Sequence, residues 1–149
     1  MENILISTCL LGIACRYDGK EMGIDAVDEL KHYAHLIPVC PEVYGGLTTP
    51  RVPAERVGDR IITANGVDVT NEYVQGATMM MKLAKTFHCR YALLKEKSPS
   101  CGYGLIYDGT FTNTLTEGEG VFASMLAKEG IQVYGESQID ELKKLLMKK

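Results

Sequence analysis

The chain has 149 residues and a formal net charge of −3, from 16 Lys and Arg against 19 Asp and Glu. That length allows one domain with a real core, and the mildly acidic balance lacks the basic field of a duplex nucleic-acid binder. The first apolar run is too short for an export signal or a membrane span; the five cysteines are odd in number in a chain too large to need disulfide staples, so the expected setting is a reducing cytoplasm.

Asn3 to Ser7 reads as a strand, apolar almost throughout, as in a parallel sheet covered on both faces. Thr8 to Gly19 holds Cys9 and Cys15, and Gly12 and Asp18-Gly19 mark it as a loop with turns. Asp25 to Tyr33 places Ala26, Val27, Leu30 and Tyr33 at helical spacing, with Asp25 as cap. Leu36 to Val39 is a second short strand. Cys40 to Glu55 is too rich in Pro and Gly for a regular element and reads as a structured loop of the functional kind. Asn65-Gly66 between β-prone flanks predicts a hairpin with arms Asp59–Ala64 and Val67–Val69. A helix follows with Thr70 as cap, its stripe of Tyr73, Val74, Ala77, Met80, Met81 and Ala84 ending near Phe87. Tyr91–Leu94 reads as a buried strand, and the chain turns after it at Ser98-Pro99-Ser100-Cys101-Gly102. Gly104 to Leu115, containing Asp108-Gly109, is a loop or small hairpin. Gly118 to Glu129 is a helix closed by Gly130, Ile131 to Tyr134 a last strand, and Ser137 to Met147 a last helix. The basic residues at its end, among them Lys143 and Lys144, suit the helix macrodipole.

Strands alternating with helices point to an α/β fold: a mostly parallel sheet flanked by helices, Rossmann-like, with a small hairpin insertion. Ligands of such sheets bind at the carboxyl ends of the strands. Cys9, Cys40 and Cys101 each lie beyond the end of a predicted strand, so parallel strands bring the three thiols to one side. Three thiols without a fourth have a chemical meaning. A closed zinc site takes four protein ligands, whereas three leave a position for water or substrate. Three thiolates on a four-iron cluster likewise leave one iron free as a Lewis acid. Sulfur-rich ligation favours zinc or iron–sulfur over magnesium or calcium. Spacing alone does not separate metal binding from packing, because there is no C-x-x-C pair and a cysteine is often a small buried hydrophobe. That bland reading fits Cys89 best, and Cys15 is either a neighbour of the site or part of the loop packing.

Glu42, two residues past Cys40, is the candidate general acid or base, with a surface carboxylate or a partner for Arg51 as the alternative. Ser98 and Ser100 flank Pro99 beside Cys101 and are candidates for holding substrate or water, although turn serines commonly bond their own backbone. Arg16, Tyr17 and Asp18 are expected to shape the pocket or to pair with each other, Arg51 and Glu55 to pair, and Lys95 to orient Glu42 or an anion. No Walker or dinucleotide fingerprint is present.

Thr8-Cys9-Leu10-Leu11-Gly12 with Arg16-Tyr17-Asp18-Gly19 resembles the first motif of a bacterial family long catalogued as a domain of unknown function. Cys40-Pro41-Glu42-Val43-Tyr44-Gly45-Gly46-Leu47 with Pro50-Arg51 resembles its second, and Leu94-Lys95 with Ser98-Pro99-Ser100-Cys101-Gly102 its third. The family includes thiouracil desulfidases, and the similarity runs over nearly the whole chain. It implies a 4Fe-4S cluster held by Cys9, Cys40 and Cys101. It also implies the short, single-domain form, which acts on free thiolated pyrimidine bases such as thiouracil. The reaction implied is a non-redox desulfuration: an open iron polarises the carbon–sulfur bond, water attacks the carbon, and sulfur leaves as sulfide. Glu42 is then the proton carrier, with Ser98 and Ser100 at the polar edge of the open position. A zinc-dependent hydrolase at the same thiols stays open beside this reading, as does a non-catalytic metal or sulfur carrier or redox sensor. The sequence sets no oligomeric state.

Overall fold

Glu2–Ser7 forms β1, the strand around which the sheet is built. The computed structural model describes residues 1–19 and 23–149. β1 pairs in parallel with β2 (Ala34–Val39) on one side and with β5 (Tyr91–Leu94) on the other, and β8 (Gln132–Gly135) pairs in parallel beyond β5. The order β2-β1-β5-β8 reverses direction at β1. The crevice outside the carboxyl ends of β1 and β5 is therefore the switch point at which open α/β sheets bind ligands.

The continuous apolar sequence of β1 conceals an alternation. Leu5 points to one face, with Ala92 and Leu94 of β5, and packs against α3 (Thr70–Thr86) and α4 (Val121–Lys128) through Ala77, Met80, Met81, Phe122 and Leu126. Ile4 and Ile6 point to the other, with Leu93, and meet Val27 and Leu30 of α1 (Asp25–Leu30) and Leu142 and Leu146 of α5 (Ile139–Met147). Both faces are covered over Ile4, Leu5 and Ile6, so the middle of the strand carries no polar position to reveal its period. Burying each such Leu or Ile stabilises the fold by roughly 1.5–3 kcal/mol.

Among the described residues two antiparallel hairpins lie outside this sheet: the expected insertion, and one where Gly104 to Leu115 reads as a loop or small hairpin. The first pairs β3 (Ala54–Val57) with β4 (Arg60–Thr63); the second pairs β6 (Tyr103–Tyr107) with β7 (Leu115–Glu119). The first corrects the expected arms. Asn65-Gly66 does turn the chain, with Thr63 and Val67 bonded across it, but beyond it lies a single bridge between Ile62 and Asp68. The ladder of β4 is instead made with the upstream segment that read as loop. Helix ends also shift. Thr70 is the first residue of α3 rather than its cap; Asp68 Oδ1 accepts the Thr70 N–H (2.9 Å), and the Thr70 hydroxyl accepts the Ile61 N–H (2.8 Å). Gly118 belongs to β7, and α4 starts three residues later. Its leading N–H groups, which have no partners inside a helix, are taken by the loop after β5. Val121 N–H donates to Pro99 O and Phe122 N–H to Ser100 O, both at 2.9 Å.

The segment after β2 contains a one-turn helix, α2 (Pro41–Tyr44), with Pro41 at its first position. Proline suits that position because no N–H is needed there. α2 lies backbone to backbone on α3. A Cβ on Gly76 would fall 1.8 Å from Pro41 O, and one on Gly45 would fall 2.0 Å from Glu72 O. These two glycines set how close α2 comes, and with it the placement of Cys40 and Glu42. No helix among the described residues is long and apolar enough to cross a membrane.

Candidate active site

A cavity of about 400 Å³ opens at the carboxyl ends of β1, β2 and β5, and Cys9, Cys15, Cys40 and Cys101 all line it. Cys9 lies in a single 3-10 turn directly after β1, Cys40 is the extended residue between β2 and α2, and Cys101 sits in the loop after β5. The fold thus brings to one place the three thiols that the sequence set apart. It adds a fourth, because the Cys15 thiol is hydrogen-bonded to both Cys9 and Cys40. Cys15 is a neighbour of the site, which the sequence left open. Cys89 is elsewhere, buried against α3 and α4.

Cys15, Cys40 and Cys101 favour their protonated forms. The contact with Cys15 and then burial push Cys40 well above the ordinary thiol range. Burial pushes Cys101 up to about 12, against the pull of the Ser100 and Ser7 hydroxyls bonded to its sulfur. At Cys15 the contact with Cys40 pulls down, but the contact with Cys9 and burial outweigh it and the net shift is upward. Soft donors of this kind shed their protons when a cation takes the protons' place.

Glu42 is held in the cavity through both oxygens. Its Oε1 accepts Arg51 Nε (3.2 Å), Arg51 Nη2 (3.1 Å) and the Tyr73 hydroxyl (2.9 Å); among the described residues its Oε2 accepts only the Ser100 hydroxyl (2.8 Å). The guanidinium fork closes on one oxygen and leaves the other toward the serine. Side-chain exposures of 8% for Arg51 and 14% for Glu42 place this pair where charge-assisted bonds are strong. Arg51 is itself fixed by Thr48 O, Thr49 Oγ1 and Cys15 O, each at 3.1 Å. Burial, then the Glu42 charge, hold the Tyr73 phenol far above its usual range, so it stays a donor.

The loop carrying Cys101 is held by its own polar groups. Ser98 Oγ accepts the Cys101 N–H (2.8 Å), a turn bond, and lies 3.3 Å from Ser100 Oγ. Ser100 Oγ also lies 3.6 Å from Cys101 Sγ, so one hydroxyl has both the carboxylate and the thiol in reach. Ser7, at the end of β1, accepts the Lys95 N–H (2.9 Å) and bonds the Cys101 sulfur. A Cβ on Gly120 would fall 2.4 Å from the Ser100 carbonyl carbon, so glycine is required where α4 begins against this loop.

The 2-thiouracil desulfurase family matches residues 4–138. The chain belongs to this family. It is 39% identical over 149 residues to the uncharacterized protein YbbK of Bacillus subtilis (strain 168), a match covering 93% of this chain and 99% of that one. It is also similar, with a TM-score of 0.93 and 46% identity, to the solved structure of the [4Fe-4S]-dependent thiouracil desulfidase TudS, over 99% of each chain.

For a 2-thiouracil desulfurase family member, several site contacts differ from those expected of the sequence. Arg51 pairs with Glu42, not with Glu55, whose carboxylate instead accepts the Gly109 and Phe111 N–H groups. Lys95 pairs with Glu136 (2.9 Å) and not with Glu42. Arg16 and Asp18 do pair with each other, at 3.5 Å. Tyr73 read only as part of an apolar stripe, and Ser7 only as a strand end. The one available signal for Tyr73 was its phenol, which needs a partner when buried.

Proposed function

We propose that this protein removes sulfur hydrolytically from thiolated pyrimidine bases such as 2-thiouracil, using a 4Fe-4S cluster held by Cys9, Cys40 and Cys101. One observation carries the reading: thiols from the exits of three parallel strands share a cavity with the Glu42–Ser100 hydrogen bond of 2.8 Å. The donor set fits the group. It is all thiol, it is backed by hydroxyls, and its carboxylate is already balanced by Arg51. Among the described residues no three His, Cys, Asp or Glu converge as ligands of a single ion. A cluster spreads its thiolates over several irons and so takes three thiols without a fourth protein ligand. Likeness to the [4Fe-4S]-dependent TudS supports the same choice. When bound, such a cluster supplies an iron free of protein ligands, a Lewis acid for a soft thiocarbonyl sulfur.

The protein's own groups manage the proton. Arg51 and Tyr73 hold Glu42 by Oε1, which keeps Oε2 available. Ser100 donates to Oε2 and lines the cavity, where its oxygen can accept from a water. A proton leaving that water passes to Ser100 Oγ while the serine proton passes to Glu42 Oε2, a short general-base relay. Glu42 returns the proton to the departing sulfur, and the second proton, left on the hydroxyl added to the carbon, follows to sulfur as the carbonyl forms. The thiocarbonyl and water become a carbonyl and hydrogen sulfide, with no net electron transfer. Ser98 contributes by setting the loop that aims Ser100.

Anaerobic reconstitution with iron and sulfide, followed by assay of sulfide and uracil from 2-thiouracil, tests the reading. Brown absorbance with stoichiometric release of both products is expected. A loaded protein that turns over no thiolated pyrimidine sinks it, and zinc in place of iron in anaerobically purified protein would favour the hydrolase alternative.

A further inference from the structure

Among the described residues, four non-glycine positions have positive φ: His88 (53°), Lys97 (71°), Phe111 (59°) and Asn113 (58°). His88 follows α3, and the next residue's N–H bonds back to Ala84 O, an ordinary way to close a helix. The other three all line the cavity that holds the thiols. A bulky aromatic residue in this region is strained, and such strain persists only where the surroundings impose it.

The tip of the β6–β7 hairpin is so imposed upon. Glu55 Oε1 accepts the Gly109 N–H (3.0 Å) and the Phe111 N–H (3.2 Å). Gly109 has φ 91°, and a Cβ there would fall 2.7 Å from Arg56 O. Asp108 Oδ1 takes the Thr110 N–H (3.0 Å), and the Asp108 N–H donates to Thr114 O (2.9 Å). This scaffold presents a phenyl ring that is 37% exposed, on the cavity wall rather than in the core. Beside it, the Asn113 side-chain amide makes no hydrogen bond with any described residue.

We propose that Phe111 and Asn113 form the substrate-reading wall of the site, Phe111 stacking on the planar ring and Asn113 pairing with its N–H and C=O edge. The inference rests on the desulfuration reading above and deepens it. An amide offers one acceptor and two donors in a plane, the complement of a ring N–H next to a carbonyl. In 2-thiouracil that edge is N3–H beside C4=O. A ring face stacks on any base without regard to sequence, so Phe111 supplies affinity and Asn113 supplies choice.

The test compares 2-thiouracil with 3-methyl-2-thiouracil, which lacks the N3–H, on cluster-loaded wild type, Phe111→Asn and Asn113→Gly. Both replacements tolerate positive φ, so the hairpin keeps its path and Tm serves as the folding control. Phe111→Asn is expected to raise KM about tenfold with a far smaller change in kcat and no fall in Tm. Wild type is expected to prefer 2-thiouracil over the methylated base, and Asn113→Gly to lose most of that preference. An active wild type whose preference survives in Asn113→Gly, or whose KM survives in Phe111→Asn, overturns this inference alone. A loaded wild type inactive on both compounds overturns the desulfuration reading, and the wall assignment with it.

Discussion

Cys89 and Cys101 flank β5, belong to one hydrophobic cluster, and are each 6% exposed. Burial alone pushes Cys89 up to about 11, and burial pushes Cys101 up to about 12. By packing and proton affinity the two are near equals. Their company separates them. Cys89 stands at the amino end of the strand, its N–H closing α3 on Ala84 O. Cys101 stands beyond the carboxyl end, with Ser7 and Ser100 on its sulfur and Glu42 one hydroxyl away. A buried thiol is therefore no sign of a site in itself. Strand direction, which decides whether a residue meets the crevice, and polar neighbours that answer to the sulfur are what make one.

The widest separation is expected on exchanging the two ends. Cys101→Ser in reconstituted protein should lose bound iron, the visible absorbance and sulfide release together. Cys89→Ala should keep all three and cost about 1 kcal/mol in denaturant unfolding, a small cavity in a packed cluster. Equal iron loss from both would erase the distinction. Next come changes that leave the thiols alone. Glu42→Gln should lower kcat by about 10²–10⁴, the usual reach of a positioned acid–base group, with iron content retained. Arg51→Gln should act in the same direction but less, about tenfold, because Tyr73 and Ser100 still hold the carboxylate; iron analysis beside steady-state kinetics checks both.

A smaller effect is expected at Gly76. Gly76→Ala drives a methyl into Pro41 O, 1.8 Å away, and overpacking of this kind costs roughly 1–3 kcal/mol. Because α2 carries Cys40 at its head and Glu42 within it, partial iron loading should accompany the lower unfolding midpoint. Full loading at a lowered midpoint would mean that the α2–α3 contact serves stability alone.

The same comparison explains what was legible beforehand. β5 was read with its observed bounds because Tyr91–Leu94 is buried on both sides and stops hard at a polar turn. The convergence of Cys9, Cys40 and Cys101 followed from parallel strands, a property of the whole sheet that an alternating pattern of elements reveals. Partner choice was not legible. Arg51 has Glu55 nearer along the chain than Glu42, yet it pairs with Glu42, which α2 brings in as it rests on two glycines. Lys95 finds Glu136, 41 residues on, because β8 lies next to β5. Asn65-Gly66 announced a turn correctly, but the ladder was won by Ala54–Val57, whose first two residues end the Pro- and Gly-rich segment that reads as loop. The start of α4 moved to Val121 because the loop after β5 supplies the carbonyls its first N–H groups need.

The last contrast between the two thiols is in pH. A thiol whose proton is held more tightly in the fold than in the unfolded chain contributes stability that is complete below the unfolded value. It loses that contribution as pH climbs to the folded value. For Cys89 the window runs from 9.0 to about 11, and for Cys101 from 9.0 to about 12. Cys15 and Cys40, also held up, add to the same side. In iron-free protein every one of these thiols should contribute, and the denaturant midpoint should fall steeply from pH 9 upward. In loaded protein a ligating Cys101 is already a thiolate and has no proton to lose, so Cys89 should account for most of a shallower fall, and Cys89→Ala should flatten it further. Equal slopes with and without iron would remove Cys101 from the ligand set and return it to the company of Cys89.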